Sequence, residues 1–182
     1  MALVLNGTSD TITGLQINSA NIVDGSITNS DLATGVGGKI LQVVESADFS
    51  STTTTSSTTF QDTGLTASIT PSASSSKILV NACGDTYTSG TGYNVYGEIR
   101  LVRGSTEIGK VDNLYDSENS SFGARLGQSF SLNKLDSPNT TSATTYKIQI
   151  RISSTSYSAS IKLPSLTSSY GGNRIQLLEV AA

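Results

Sequence analysis

The clearest strand pattern in the chain is Tyr146-Lys147-Ile148-Gln149-Ile150-Arg151-Ile152-Ser153. Apolar side chains stand at every second position, with polar or charged ones between them, which is the pattern of a β-strand with one buried face. A helix would need apolar positions three and four residues apart, and no window of the chain sustains that period. The stretch therefore predicts a half-buried strand and makes a β fold the starting expectation.

Strand patterns of the same kind recur after Lys39. Leu65–Ile69 alternates until Pro71 ends it, and residues 78–83 are apolar on both faces of the predicted strand. A hairpin is predicted at Arg103-Gly104-Ser105-Thr106, with Gly104 supplying a positive φ. Further strands are predicted at Ile40–Val44, Thr58–Gln61, Val95–Arg100, Gln128–Leu132, Ala159–Leu163 and Ile175–Val180. About ten short strands between Gly-, Ser- and Asn-rich turns predict an all-β fold, a jelly-roll β-sandwich.

The composition excludes several classes of function. The 182 residues include no histidine and one cysteine, and the formal net charge is −3. Without histidine there is no Ser-His-Asp arrangement and no imidazole ligand for zinc or haem, and a single thiol supplies no paired-thiolate site. The negative balance argues against a nucleic-acid partner, and no apolar run approaches the roughly 20 residues of a membrane span. We therefore expect no enzyme, no cofactor, no nucleic-acid binding and no membrane insertion.

The charges divide the chain near residue 38. All eleven basic residues lie at or after Lys39, and the segment before it holds only three aspartates. That segment thus carries the whole net charge, while the rest of the chain balances eleven acids against eleven bases. The glycine cluster Gly35–Gly38 has the composition of a hinge. The prediction is an N-terminal arm, residues 1–38, followed by a jelly-roll head domain, residues 39–182.

The arm carries spaced apolar side chains in a background of Asn, Ser, Thr, Asp and Gly. So few apolar groups cannot close a core of their own, and they should therefore bury against another surface. A flexible tail is the alternative. The residues predicted to make this attachment are Ile12, Leu15, Ile17, Ile22 and Ile27.

The predicted strands offer more apolar surface than one small sandwich buries. A face such as the one that carries Leu79 and Cys83 has little to pack against in a lone two-sheet domain. Oligomerisation would cover that face and would also protect the edge strands. An obligate oligomer is therefore expected.

Several segments resemble proteins of bacteriophage particles. Four segments are similar to the head domains of phage fibre and decoration proteins, namely Lys39–Val44, Ser76–Val80, Leu135–Gln149 and Gly171–Val180. In the arm, Ile12–Leu15 and Asp24–Leu32 resemble the particle-attachment segments of the same proteins. The long repetitive shaft of most long tail fibres is missing from this chain.

The resemblance implies a homotrimer whose jelly-roll head is like those of complement and tumour-necrosis-factor proteins. It also implies a place on the virion surface, with residues 1–38 binding other virion proteins of the capsid or the tail. It supplies no catalytic residue. The expectation is a capsid decoration or head-fibre knob. The alternatives are a short tail fibre or adhesin that binds host surface carbohydrate, and a lectin-like module unrelated to viruses.

Loop tyrosines are the candidate contacts for such a carbohydrate. An exposed tyrosine presents an apolar ring face and a polar tip, which suits stacking on a sugar. The alternative is that these rings pack at the ends of the sandwich. The candidates are Tyr87, Tyr93, Tyr115 and Tyr170, with Tyr96 in the same loop region.

An acidic cluster is the remaining candidate site. Asp112, Asp116 and Glu118 could supply oxygen ligands to calcium. Their spacing matches no EF-hand, so a solvated loop is the preferred interpretation and no metal is expected. A carboxylate pair for glycoside hydrolysis can be drawn from the same residues, but any acidic loop allows that.

Overall fold

The structure is a computed structural model that describes residues 26–27, 39–90, 96–112, 114, 124–153, 159–165 and 172–181. The chain divides into two compact units, Met1–Gly38 and Lys39–Ala182, and the described strands all belong to the second. These strands are β1 (Ile40–Glu45), β2 (Thr53–Thr55), β3 (Gln61–Ile69), β4 (Lys77–Gly90), β5 (Gly97–Arg103), β6 (Thr106–Val111), β7 (Ala124–Asp136), β8 (Thr144–Ile152), β9 (Ala159–Leu163) and β10 (Arg174–Val180). Within the described ranges there is no helix.

Two antiparallel sheets form a jelly-roll β-sandwich. The large sheet has six strands, in the order β1-β10-β4-β9-β2, with β7 paired to β4. The small sheet has four strands, in the order β3-β8-β5-β6. Sequence neighbours are seldom neighbours in the sheets, because most connections cross from one sheet to the other. The prediction of an all-β jelly-roll sandwich is confirmed.

The core lies between the sheets and is built from alternate residues of each strand. In β8 the alternating apolar side chains from Tyr146 to Ile152 are at most 1% exposed. From the large sheet, β4 and β10 turn the same kind of face towards them. The side chains that these two strands contribute to the apolar core are Ile78, Val80, Ala82, Ile175 and Leu177. Removal of this apolar surface from water is the main force that holds the sheets together.

Strand β4 organises the large sheet because it has different partners along its length. One edge pairs with β7 from Ile78 to Gly90, while the other edge pairs first with β10 and then with β9. The β10 register ends at Cys83 and the β9 register begins at Tyr87, which leaves a fork. Asn173 fills this fork and joins the three strands.

The Asn173 side chain is almost fully buried and bonds to both sides of the fork. Its Oδ1 accepts a hydrogen bond of 3.0 Å from the Asp85 backbone N–H, and its Nδ2 donates one of 2.7 Å to the Pro164 carbonyl. Gly84 makes the approach possible, since a Cβ there would lie 2.8 Å from Asn173 Cα. The Asn173 side chain thus gives hydrogen-bond partners to two backbone groups, Asp85 N–H and the Pro164 carbonyl, at the point where β4 changes from one partner strand to the next.

Two buried acids close one end of the sandwich. Glu179 and Asp136 both flank Ile78, in the registers of β10 and β7, and they are 0% and 7% exposed. The Asp136 carboxylate accepts hydrogen bonds of 2.8 Å from the Tyr146 hydroxyl and from Arg103 Nη1. Asp136 therefore has partners inside the protein, as a buried charge requires.

Most predicted strands are confirmed, with extended limits. The hairpin is β5–β6, and Gly104 in its turn has φ +58°. Predicted strand 78–83 grows into the 14-residue β4, and predicted strand Gln128–Leu132 grows into the 13-residue β7. These two strands pair from Ile78 to Gly90 of β4. Pairing with a distant strand thus extends both of them through polar residues that show no apolar alternation. Val95, in another predicted strand, lies outside the described residues.

The strand predicted at Thr58–Gln61 is wrong. Residues 58–60 lie outside any strand and β3 begins at Gln61, whereas the unpredicted β2 occupies Thr53–Thr55. Hydroxyl groups explain the difference: Thr55 Oγ1 accepts from Ser57 N–H, and Ser57 Oγ accepts from Thr59 N–H. Such local side-chain bonds compete with a strand ladder.

Candidate functional site

Most of the predicted attachment residues lie outside the described part of the chain. Ile12, Leu15, Ile17 and Ile22 are among them, and Ile27 is described, with 53% of its side chain exposed. Their role in attachment stays a prediction.

The loop tyrosines divide in the same way. Tyr93, Tyr115 and Tyr170 lie outside the described residues, and Tyr96 is half-buried. Tyr87 is buried, with 8% exposure, and its ring lies so close to β7 that a Cβ at Gly127 would be 3.1 Å from it. This position corresponds to the packing alternative for Tyr87. A sugar contact by the other three tyrosines stays a prediction.

The predicted acidic cluster is described only at Asp112. Its carboxylate lies 2.9 Å from Lys110 Nζ, and this hydrogen bond raises the pKa of the lysine. Asp116 and Glu118 lie outside the described residues. Elsewhere in the described ranges, no group of three or more acidic or cysteine side chains has the arrangement of a metal site. No helix described here is long and apolar enough to cross a membrane.

The outer face of the small sheet is charged, and its charges bind one another. Asp62 accepts hydrogen bonds from Lys147 at 2.8 Å and from Gln149 at 2.5 Å, and these bonds lower its pKa. The Glu98 carboxylate, 4% exposed, accepts two hydrogen bonds from Arg151, at 3.0 and 2.8 Å. Alternation in β8 places its polar residues here, opposite the core. This face is therefore suited to water.

An aromatic ring reinforces the charged face. Phe60 contacts two guanidinium groups, with Cζ of Arg100 4.0 Å and Cζ of Arg151 4.5 Å from its ring centre. Arg100 also donates to Gln149 at 2.7 Å and pairs with Glu107 at 3.3 Å. Arg100 and Arg151 are thus both bound within this chain, by stacking on Phe60 and by hydrogen bonds.

The outer face of the large sheet is different, because an apolar row crosses it. Val43 of β1 is the register partner of Leu178 in β10, Leu178 is the partner of Leu79 in β4, and Leu79 is the partner of Leu135 in β7. Val43 is 60% and Leu135 49% exposed, and the two central leucines are half-buried. We call these four side chains the outer apolar row.

A row of amides lies beside the outer apolar row. Gln176, Asn81 and Asn133 are register partners two residues further along β10, β4 and β7. We call these three side chains the amide row. Glu45 borders it on β1, and Lys77 lies on the opposite side of the apolar row. Amides both donate and accept hydrogen bonds, so this surface can bind polar groups of either kind.

The sequence signals only part of this surface. Alternation predicts that Leu79 and Cys83 share a second apolar face, and both are half-buried on the outer side of β4. The same pattern assigns Leu178 to the outer side of β10. The alignment of four strands into one row depends on register, which only the assembled sheet defines.

The sequence matches no protein-family model and no curated protein. The chain is similar to the structure of the Gt strain of infectious bursal disease virus, at 10% identity and a TM-score of 0.34. It is also similar to a mutant VP2 protein of that virus in derived T=1 particles, at 11% identity and a TM-score of 0.32. The similarity covers 78% and 77% of this chain but only 37% and 36% of those chains.

Proposed function

We propose that this chain is a non-enzymatic structural protein of a bacteriophage virion. In this proposal it is a trimeric knob on the particle surface, with residues 1–38 as the attachment arm and the sandwich from Lys39 as the projecting head. Capsid decoration, or a head fibre, is the position we favour. The role is structural, in keeping with a chain that has no histidine and a single thiol.

One observation carries the proposal: the boundary in charge coincides with the boundary between the two compact units. The first 38 residues hold three acids and no base, while the rest of the chain is formally neutral. The division into compact units falls at the same position in the sequence, with Met1–Gly38 as the first unit and Lys39–Ala182 as the second. An arm with spaced apolar side chains can add its main chain to a partner's sheet edge and place those side chains in successive pockets. Three arms of one trimer would act together, so that weak single contacts become strong attachment.

Immuno-electron microscopy tests the virion role. Under this proposal the gene belongs to a bacteriophage. An antibody raised against residues 39–182 should then label the surface of that phage's purified particles, at regular positions on the capsid. Label on the tail alone would support the short-fibre alternative. Absence of label from every particle, with the protein detected elsewhere, contradicts the proposal.

A second experiment tests the arm. The full chain with Ile12→Asn and Ile17→Asn should leave particles undecorated, whereas the matched control with Thr13→Asn and Ser19→Asn should decorate them normally. Because the contact is apolar, occupancy should change little with salt concentration. Normal decoration by the isoleucine variant would show that the head makes the attachment.

The trimer is measured on the isolated chain. Sedimentation equilibrium should give three times 18.9 kDa, with no particle present. A monomer at micromolar concentration contradicts this part of the proposal.

A further inference from the structure

We propose that the outer face of the large sheet, centred on the outer apolar row, is the surface through which copies of this chain contact one another. The inference rests on the proposed function only for the expectation of an oligomer, and it names the residues that form the contact. The row crosses four adjacent strands without a charged side chain in it.

The exposed apolar groups at this face lie on its two edge strands, β1 and β7. Besides Val43 and Leu135, Ile40 and Leu41 of β1 are 44% and 38% exposed. The register of β1 shifts between Ile40 and Gln42, and Ile40 is the register partner of Val180, next to Leu178 on the same side of β10. Within the described chain, the large exposed hydrophobic side chains other than Ile27 are these four. A contiguous apolar patch of this kind marks a contact surface.

The size of the face fits a subunit contact. Four strands at the usual spacing, paired over seven residues of β4, cover about 19 Å by about 24 Å, or about 450 Å² in projection. Accessible surface exceeds the projected area because side chains stand out from the sheet. The face therefore supplies the larger part of the roughly 800 Å² that each partner gives to a stable interface.

A second copy of the chain is the occupant that the chemistry favours. The amide row donates and accepts hydrogen bonds, so it complements an identical row. Lys77 and Glu45 border the apolar row on opposite sides. In a closed ring of copies, one side of each face lies against the other side of the next, so that the lysine of one copy can approach the glutamate of its neighbour. The outer apolar row and the amide row hold no charged side chain for a strongly charged partner, and the charged face of the small sheet already binds its own charges.

The test uses charged substitutions at the two most exposed positions of the row. Val43→Arg and Leu135→Arg should each sediment at 18.9 kDa, and each should keep the circular dichroism and unfolding transition of a folded protein. Thr66→Arg is the matched control, because Thr66 is also an exposed strand residue but lies on the small sheet. That variant should remain as oligomeric as the parent. A monomeric parent, or arginine variants as oligomeric as the control, would overturn the inference.

Thiol labelling gives a second measurement that needs no disruptive charge. In a Cys83→Ser background, Val43→Cys should react with a maleimide about tenfold more slowly than Thr66→Cys at micromolar concentration. The two rates should converge on dilution. Equal rates at every concentration argue against a covered face.

The failures of the two proposals are distinguishable. If the arginine variants stay oligomeric while particles are labelled, this inference fails and the virion role stands. If the arginine variants are monomeric but no particle carries the protein, the contact surface stands and the virion role fails.

Discussion

Glu179 and Ser72, 107 residues apart, are joined by two hydrogen bonds: the Ser72 backbone N–H and hydroxyl both donate to Glu179 Oε1, at 2.7 and 2.6 Å. Gln42 Nε2 donates to the other carboxylate oxygen at 2.6 Å. Burial by itself would raise the pKa of Glu179, but the hydrogen bonds from Ser72, Gln42 and Ser76 outweigh it and lower the pKa to about 2. A buried carboxylate is thus held ionised by neutral donors.

This carboxylate makes stability depend on pH. Its pKa is about 2 in the folded protein and 4.5 ordinarily, so its stabilisation is complete above pH 4.5 and is lost as the pH falls towards 2. The free energy of unfolding, measured by urea denaturation, should therefore decrease between these pH values. This decrease in unfolding free energy should be smaller in Glu179→Gln. Some pH dependence should remain in that variant, because the pKa of Asp62 is also lowered in the folded protein.

The same variant should lose stability at neutral pH. Glu179→Gln replaces one acceptor oxygen with an NH₂ group that faces other donors, which should cost about 1.5–3 kcal/mol. Glu45→Gln is the matched control, because Glu45 is exposed in β1, and its change should stay within about 0.5 kcal/mol. Equal losses in the two variants would mean that the Ser72 contacts contribute nothing specific.

Gly84→Ala tests the fork in β4. The new Cβ would lie 2.6 Å from Asn173 Cγ and 2.8 Å from its Cα, so β10 must shift. We expect a loss of about 2–3 kcal/mol in the free energy of unfolding, measured with urea. At Gly172 a Cβ would meet no atom within 4 Å, and Gly172→Ala should have little effect. Similar results for both glycines would contradict the close contact.

Tyr146→Phe tests the hydrogen bond at the end of the core. The Tyr146 hydroxyl donates to Asp136 at 2.8 Å, and burial together with this bond raises its pKa. Loss of the hydroxyl leaves a buried carboxylate with one donor fewer, at a cost of about 1–2 kcal/mol by chemical denaturation. Tyr96→Phe, at a half-buried position, should change stability by less than about 0.5 kcal/mol. No loss at residue 146 would show that Arg103 alone satisfies Asp136.

Neighbouring leucines in β10 separate the two faces of the strand. Leu177 is 0% exposed, so Leu177→Asp places an unpaired charge in the core and should prevent folding, at a cost of several kcal/mol. Leu178→Asp alters only the outer apolar row and should give a soluble, folded chain that no longer assembles. Expression followed by size-exclusion chromatography distinguishes the two. A soluble, assembled Leu177→Asp variant would place that side chain outside the core.

The two buried acids show how much of this architecture was open to prediction. Alternation puts Glu179 on the same side of β10 as Ile175 and Leu177, and the structure buries all three. Its partner Ser72 could not be predicted, because a turn 107 residues away carries no local signal for that contact. The partners of Asp136 were not predictable either, because no local pattern indicates that it accepts hydrogen bonds from Tyr146 and Arg103.

Sequence pattern alone indicates that the chain forms strands, where most of them lie and which side chains of β8 enter a core. Alternation carries that information because successive side chains of a strand point to opposite faces. Three features became visible in the folded chain alone. These are the position of β4 between β10 and β7, the strand at Thr53–Thr55 rather than at residues 58–60, and the alignment of Val43, Leu178, Leu79 and Leu135 in one row. Strand partners and register depend on contacts between distant segments, and no two-residue period encodes which segments meet.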